Sequence, residues 1–390
     1  MYLRQPSAYL DEDHEKFRAS AAAFVEREIR PHAEEWEAAG EIPRDLYSQA
    51  AKAGLLGLRY QERWGGSALD YSATVVLCEE LAKCDSIGTA VGLLAHAEFA
   101  LSAIADEASD ELKVAYLAPA IRGELIGAIG VSEPGAGSDV ASISTLARRD
   151  GDEYVISGQK TFISNGTRAD FLTLAVRTGE PGPRGISLVV FPTATPGFSV
   201  GRRLDKLGAR ASDTGELFFD DCRIPTANLI GEEGRGLSYI LAHFAGERLV
   251  IAALAVGVME HLITLGIDYA ADRVVFGRPL WRFQVWQHRF ADMATRMQAS
   301  RLLTYHAADL LNRREPAADA AVSMAKLAAA EAAQFVSAEI LQLHGGFGQM
   351  EESPVPRYYR DVAGFSVGAG TSEIMRELIA RALITPKEPT

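Results

Sequence analysis

The spacing of apolar residues along the chain changes twice. The first third has apolar positions at a helical period, in segments rich in Ala, Glu and Leu such as FRASAAAFVEREI. The middle has short β-type runs such as EYVIS, FLTLAV and GISLVVF, separated by Gly, Pro and Asp. Long Ala- and Leu-rich helical segments then return. This pattern predicts a helical domain over residues 1–124, a β domain over 125–235 and a helical bundle over 236–390.

One helical segment carries a carboxylate among its apolar positions. Around HFAGERLVIAALAVG, the apolar residues step by three or four and form one helix face: Ile240, Phe244, Ile251, Leu254 and Val258. Glu247 occupies the remaining position on that face. Because an unpaired buried carboxylate is costly, we expect Glu247 to be paired, uncharged or present for its chemistry.

The composition limits the class of protein. The net charge of −13 argues against a nucleic-acid-binding protein, since such proteins need a basic surplus. The cysteines Cys78, Cys84 and Cys222 form no C-x-x-C pair, and acidic residues stand where a signal peptide would have its apolar core. The longest purely apolar run, Leu249–Met259, is too short to span a bilayer. We therefore expect a cytoplasmic protein with no membrane partner.

Two glycine-rich loops are candidates for binding an anionic group. SEPGAGSD (132–139) follows a strand-like run and could present backbone N–H groups to a phosphate, although a simple β-turn is the other interpretation. HGGFG (344–348) follows a helical run, where a glycine commonly ends a helix. The sequence has no Walker loop, no H-E-x-x-H and no G-x-S-x-G, and its histidines show no metal-ligand spacing. Metal catalysis and serine hydrolysis therefore have no support.

Six stretches, in this order, resemble motifs of the acyl-CoA dehydrogenase family. They are GVSEPGAGSDV (130–140), GQKTFISNG (158–166), KLGARASDT (206–214), DRVVFGRPL (272–280), QLHGGF (342–347) and GAGTSEIMRELI (368–379). The resemblance spans nearly the whole chain. It implies a mainly α fold with a central β domain: an N-terminal helical domain, a middle β-barrel or sandwich, and a C-terminal four-helix bundle. It also implies non-covalently bound FAD and a homo-oligomer, usually a tetramer, in which a neighbouring subunit supplies part of each FAD site.

The resemblance assigns residues to the cofactor. Those expected around the flavin and phosphates are Val131, Ser132, Gly137, Ser138, Phe162 and Ser164, and those expected by the phosphate and adenosine end are Thr371 and Glu373. Those expected to reach the FAD of the partner subunit are Arg273, Phe276, Gln284, Gln342 and Gly346. A guanidinium such as that of Arg273 matches a pyrophosphate in geometry and charge. Taken singly, Phe162 and Phe276 could equally be core aromatics, and Arg273 a surface cation.

The reaction implied by the resemblance needs a base. A carboxylate removes the α-proton of an acyl thioester while the β-hydrogen passes as hydride to flavin N5. Many relatives carry that carboxylate just before the Gly-Thr of the C-terminal motif, where this chain has Ala369. The isovaleryl-CoA dehydrogenase-like subgroup has Gly-Ala-Gly-Thr there and a glutamate before Arg-Leu on a bundle helix. Glu247-Arg248-Leu249 matches this pattern, so we expect Glu247 to be the catalytic base, with its pKa raised by burial.

The substrate is expected to be an acyl thioester, carried by CoA or by an acyl carrier protein. The residues assigned to it are Ser138, Phe244, Arg248, Ala369 and Gly370. Relatives often have a tyrosine where this chain has Gly368, and the missing side chain favours branched or bulky acyl groups. Electrons would pass to an electron-transfer flavoprotein.

Two other functions are compatible with the same fold. A flavin-dependent monooxygenase or oxidase would activate oxygen, and such relatives often lack the thioester base, so the retained Glu247 favours dehydrogenation. The other alternative is a non-catalytic scaffold that binds FAD only structurally. Glu247 and the hydroxyls of Ser132 and Ser164 argue against it.

Overall fold

Helical regions at both ends of the chain flank a β-rich middle in the computed structural model, which describes residue 3 and residues 7–384. This order confirms the expected fold class of an N-terminal helical, a middle β and a C-terminal helical region. Residues 1–2, 4–6 and 385–390, which belong to the ends of the predicted domains, lie outside the described residues.

The N-terminal region consists of short helices. They are α1 (Glu12–Phe24), α2 (Ala33–Ala39), α3 (Asp45–Lys52), α4 (Tyr71–Leu81), α5 (Ile87–Leu94), α6 (Ser102–Glu107), α7 (Asp110–Leu112) and α8 (Ala118–Ile121). The carboxylates of Asp11 and Asp70 accept hydrogen bonds from the first backbone N–H groups of α1 and α4. Such N-caps explain why these two helices begin where they do.

The middle region is one mixed sheet. Its strands are β1 (Gly127–Gly130), β2 (Leu146–Asp150), β3 (Glu153–Ser164), β4 (Phe171–Arg177), β5 (Ile186–Pro192), β6 (Phe198–Arg203), β7 (Thr214–Pro225) and β8 (Leu229–Ile230). The strand order is β6-β7-β3-β2-β4-β5-β8, and β1 pairs with β4 in parallel. Within the described residues, the end strands β6 and β8 do not pair with each other.

The sheet bends back on itself to enclose a core. The rings of Phe191 on β5 and Phe219 on β7 are 5.0 Å apart, although β3, β2 and β4 separate these strands in the sheet. Phe198 on β6 joins the same aromatic group. The middle region is therefore closer to the expected sandwich than to a closed barrel.

Long helices form the C-terminal region. They are α9 (Gly236–Asp272), α10 (Gln284–Asn312), α11 (Ala318–His344), α12 (Pro354–Asp361) and α13 (Ser372–Ile384); a small hairpin of β9 (Val274–Val275) and β10 (Arg278–Pro279) links α9 to α10. The helices α9, α10 and α11 pack against one another, and α13 packs against α11. The helices α4 and α9 also pack together, so the core of the bundle continues into the N-terminal region.

A buried histidine connects the N-terminal helices to the sheet. His96 accepts a hydrogen bond from the backbone N–H of Gly127 on β1 through Nδ1, and its Nε2 lies 3.1 Å from the carbonyl oxygen of Ala120. Burial lowers the pKa of His96 to about 4, so the ring is neutral and can accept at one nitrogen while donating at the other. This contact fixes the strand that leads into the loop at Ser132.

Two helical stretches are long and apolar enough to cross a membrane. They are Ile87–Glu107 and Gly236–Asp272, and 89% and 78% of their most apolar windows are buried inside the fold. Burial in the protein core accounts for this apolar composition.

Candidate active site

Glu247 lies on the buried face of α9, as its spacing predicts. The residue is 7% exposed, and its Oε1 atom has no hydrogen-bond partner among the described residues. Burial raises the pKa of Glu247 to about 8, while the charge of Arg248 opposes this rise. Glu247 can therefore gain and lose a proton near neutral pH.

Other unpartnered polar atoms lie on the same part of α9 as Glu247. Arg248 Nε and His243 Nε2 are also buried without a hydrogen-bond partner in the described part of the chain. Trp64 Nε1 is another, and Trp64 packs on the same apolar cluster as Phe244. Because folded proteins satisfy nearly all buried polar atoms, three unpartnered atoms within six residues of one helix make this part of α9 a candidate ligand site.

The C-terminal motif lies beside this part of α9. A Cβ atom built on Gly370 would be 3.8 Å from Arg248 Nε. Ala369 and Gly370 have left-handed φ angles of +53° and +96°, and a Cβ on Gly368 would meet only the carbonyl oxygen of Gly364, at 3.5 Å. The structure thus brings together Arg248, Ala369 and Gly370, three of the residues assigned to the substrate.

Phe244 belongs to the same turn of α9. It is half-buried, and the guanidinium carbon of Arg248 lies 5.5 Å from the centre of its ring. Val131, at the end of the β1 segment, packs on the same apolar cluster as Phe244. This shared cluster connects the bundle helix to the loop that was assigned to the cofactor.

An ion pair attaches that loop to β3. Lys160 is 1% exposed, and its Nζ donates to the carbonyl oxygen of Val131 at 3.1 Å and to Glu133 Oε1 at 2.8 Å. Burial lowers the pKa of Lys160 to about 8. Burial acts to raise the pKa of Glu133, but Lys160 together with hydrogen bonds from Thr145 and Ser144 holds that pKa at about 2. The N–H of Thr161 donates to the carbonyl of Ser132 at 2.9 Å. Ser132 therefore lies next to the strand that carries Phe162 and Ser164.

Phe162 has an unusual conformation. Its φ is +59°, it is 70% exposed, and it lies in a register shift between β3 and β7 at Lys160/Ile163. A left-handed φ is strained for a bulky residue, and strain of this kind is concentrated at functional sites. The bulge turns an aromatic ring outward beside Ser164, so the interpretation of Phe162 as a core aromatic is wrong.

Several predicted contact residues lie where the fold leaves room. A Cβ on Gly137 or Gly346 would meet no atom within 4 Å, so packing within this chain does not require glycine there. Ser138 is exposed in the loop next to Gly137. At the start of α13, Thr371 Oγ1 accepts from the N–H of Ile374, and Glu373 is exposed.

The residues assigned to the partner's cofactor lie together at the far end of the bundle. They are Arg273 just after α9, Phe276 in the hairpin, Gln284 at the start of α10, and Gln342 and Gly346 at the end of α11. The ring of Tyr269 on α9 stacks on His344 at 4.2 Å, which joins the ends of α9 and α11. Phe276 is 96% exposed with φ +48°, so it is not a core aromatic either.

The residues around Glu247 and the residues assigned to the partner's cofactor are far apart in one chain. Arg273 follows Glu247 by 26 residues (273 − 247) along and just beyond α9. At 1.5 Å per residue this is a separation of about 39 Å. The two sets can serve one site only if a second copy of the chain brings them together.

Comparisons with known proteins cover almost the entire chain. The N-terminal, middle and C-terminal domain models of acyl-CoA dehydrogenase match residues 11–124, 128–222 and 234–384. The long-chain specific acyl-CoA dehydrogenase of Sus scrofa is 37% identical over 378 residues, which are 96% of this chain and 87% of the relative. The isovaleryl-CoA dehydrogenase of Oryza sativa is 37% identical over 388 residues, 98% of this chain and 94% of the relative. The crystal structure of a probable acyl-CoA dehydrogenase from Mycobacterium abscessus superposes with a TM-score of 0.94 at 44% identity, covering 96% of this chain and 100% of the other.

The chain belongs to the acyl-CoA dehydrogenase family.

Members of this family are FAD-dependent oxidoreductases acting on CH–CH bonds, and the residues of this chain fit such a cofactor. Phe162 offers an outward-facing ring, and the hydroxyls of Ser132 and Ser164 lie on neighbouring segments. The open space around Gly137 and the exposed guanidinium of Arg273 suit phosphate groups. A relative named for long-chain acyl groups and one named for the isovaleryl group are both 37% identical, so these comparisons establish the family and not the acyl group.

Sequence reasoning missed two buried lysines at this site. Lys160 supports the Val131 carbonyl, and Lys326 on α11 donates to the carbonyl of Gly370 at 2.6 Å. Both occupy positions whose spacing is that of buried residues, Lys160 in the alternation of β3 and Lys326 beside Ala325, Ala329 and Ala330. The criterion that singles out Glu247, a charged residue among the apolar positions of one face, also selects these two lysines.

Proposed function

We propose that this chain is an FAD-dependent dehydrogenase of acyl-CoA thioesters in which Glu247 removes the α-proton. The observation that carries the proposal is a buried carboxyl with an unpartnered oxygen and a pKa raised to about 8. It lies on the helical turn next to the C-terminal motif, in a chain whose residue 369 is alanine and cannot take a proton.

The chain's own residues would act as follows. The apolar surroundings of Glu247 keep water away and make its carboxylate a stronger base than an exposed one. The proton moves from the substrate α-carbon to a carboxylate oxygen of Glu247, and Arg248 balances the negative charge before the transfer. Bound FAD supplies the hydride acceptor for the β-hydrogen. Val131, Ser132, Phe162 and Ser164 would hold its ring system.

The acyl group would lie against a backbone segment that carries almost no side chains. Gly368 and Gly370 carry no side chains, and Ala369 adds only a methyl group. This wall leaves space for a branch near the thioester carbonyl, which supports a preference for branched or bulky acyl groups. We also propose an electron-transfer flavoprotein as the electron acceptor and a homo-oligomer as the working form.

An anaerobic titration tests the proposal. The yellow protein is mixed with straight- and branched-chain acyl-CoAs and with the same acyl groups on a carrier protein, and the oxidised flavin band is followed. We expect at least one thioester to bleach the band, with branched acyl-CoAs the most effective, and the reduced protein to reoxidise slowly in air. A flavin that no thioester bleaches would contradict the proposal, and rapid reoxidation by oxygen would favour the oxidase alternative.

A further inference from the structure

Lys326 is a buried cation that the proposed chemistry does not use. It is 0% exposed, and its neighbours on the same face of α11 are Val322, Ala329, Ala330 and Ala333, all fully buried. Burying an ammonium group is costly unless it is compensated by specific partners. The partners of Lys326 therefore indicate why a lysine occupies this position.

The ammonium group of Lys326 is directed at one peptide group. Its Nζ donates to the carbonyl oxygen of Gly370 at 2.6 Å, a short charge-assisted hydrogen bond. Burial and the charge of Arg248 on α9 lower the pKa of Lys326 to about 8, while Glu373 on α13 acts to raise it. Lys326 thus lies between the helix that carries Glu247 and the turn that contains Gly370.

Hydrogen bonds hold the two ends of the turn that contains Gly370. The N–H of Gly368 donates to the carbonyl of Gly364 at 2.9 Å, and Thr371 Oγ1 accepts from the N–H of Ile374 at 3.3 Å. Gly368 and Gly370 have the largest conformational freedom of any residue, and Ala369 is held at φ +53°, where a Cβ is strained. Ala369 packs on the core, and the end of the Met375 side chain lies against Gly370. Between the two ends of this glycine-rich turn, the hydrogen bond from Lys326 to the Gly370 carbonyl adds a fixed point.

We propose that Lys326 is a positioning residue, whose hydrogen bond to Gly370 fixes the Gly368–Thr371 turn as the wall of the acyl site beside Arg248 and Glu247. The inference rests on the proposed function. A fixed wall would hold the α-carbon of the substrate within reach of the Glu247 carboxylate. Loss of the hydrogen bond would let the turn move, and small displacements of reacting groups reduce rates by up to about 100-fold.

The test compares three proteins in anaerobic rapid-mixing experiments with a bleaching acyl-CoA. Lys326→Met keeps an unbranched side chain, one atom shorter than lysine, and removes the donor. Glu331→Gln is the matched control, because it removes the exposed Glu331–Arg376 pair that also joins α11 to α13. We expect Lys326→Met to retain FAD, to bind the acyl-CoA within about threefold of the wild type, and to reduce its flavin about 10- to 100-fold more slowly at saturation. The control should match the wild type.

The other outcomes contradict the inference, the proposed function or both. Lys326→Met reduced at the wild-type rate overturns the inference while leaving the proposed function intact. Equal losses of rate in both variants, with equal falls in Tm, also overturn it, since they indicate a role in helix docking. A wild type that no acyl-CoA reduces overturns the proposed function and the inference with it. If Lys326→Met does not fold, Lys326→Gln, whose amide is too short to reach Gly370, is held to the same criteria.

Discussion

The properties of Glu247 follow from its immediate surroundings. Burial disfavours the charged carboxylate, Oε1 has no hydrogen-bond partner in the described residues, and the charge of Arg248 opposes the effect of burial. A carboxyl in ordinary solvent would be ionised at neutral pH but would be a weak base. Raising its pKa to about 8 matches its basicity better to a weakly acidic α-proton.

The pH dependence of flavin reduction should report this residue. Glu247 accepts a proton only when ionised, and its ionised fraction rises with pH up to a pKa of about 8. We therefore expect kcat/KM to rise about tenfold per pH unit below this pKa and to level off above it. Stopped-flow reduction between pH 6 and pH 9.5 measures the profile. A rate that is constant over this range would show that the base is already ionised at pH 6.

Position on an apolar face was enough to single out Glu247 from the sequence. Its burial is confirmed, but its unpartnered oxygen and raised pKa depend on residues distant in sequence that the pattern does not specify. The same reasoning applied to Lys160 and Lys326 would have identified both as buried charges. Their partners, the carbonyl groups of Val131 and Gly370, could not be predicted, because backbone hydrogen bonds between distant segments leave no periodic signal.

Among the elements, β3 contains a strained residue whose side chain is exposed where we expect the cofactor. The register shift at Lys160/Ile163 places Phe162 at φ +59° with its ring exposed, while the flanking Lys160 and Ile163 stay buried. The run EYVIS predicts the first five residues of this strand, as observed, but not its continuation through Phe162. The pattern does not predict the bulge either, because an extra residue in one strand depends on the pairing with β7.

Replacing Phe162 tests whether its exposed ring serves FAD binding or the stability of the fold. Phe162→Gly removes a strained Cβ and an exposed ring, so we expect the Tm of the FAD-free protein to stay the same or rise, while FAD affinity falls about tenfold. Asp221→Gly is the control, because Asp221 on β7 is exposed with φ +49° and is not assigned to the cofactor. It should leave FAD affinity unchanged. A Phe162→Gly protein with lower Tm and normal FAD affinity would show that the ring serves packing.

At the scale of the whole molecule, the length of α9 limits which residues of one chain can contribute to the same site. About 39 Å separates Glu247 from Arg273, so the proposed base and the residues assigned to a partner's cofactor lie at opposite ends of one chain's bundle. The assignment to a partner's cofactor comes from the family resemblance, and the exposure of Phe276 and the space around Gly346 agree with it. Sequence patterns predicted the three regions and their order, but the arrangement of copies depends on surfaces that have no periodic signature.

Mixed oligomers test this arrangement. Glu247→Gln and Arg273→Ala should each abolish activity alone, the first by removing the base and the second by weakening FAD binding. If a site combines Glu247 of one chain with Arg273 of the partner, co-expression of the two variants restores about a quarter of the wild-type activity for random pairing. Activity assays on the co-purified protein measure it. Absence of any recovery would place both residues in a site within one chain.

The most direct test of the central claim is the anaerobic reduction of Glu247→Gln. We expect this variant to purify with wild-type FAD content and to be reduced by an effective acyl-CoA about 10²- to 10⁴-fold more slowly than the wild type, because glutamine cannot accept the α-proton. Asp268→Asn, which removes an exposed carboxylate on the same helix, is the control and should react normally. A Glu247→Gln protein whose flavin bleaches at the wild-type rate would contradict the account.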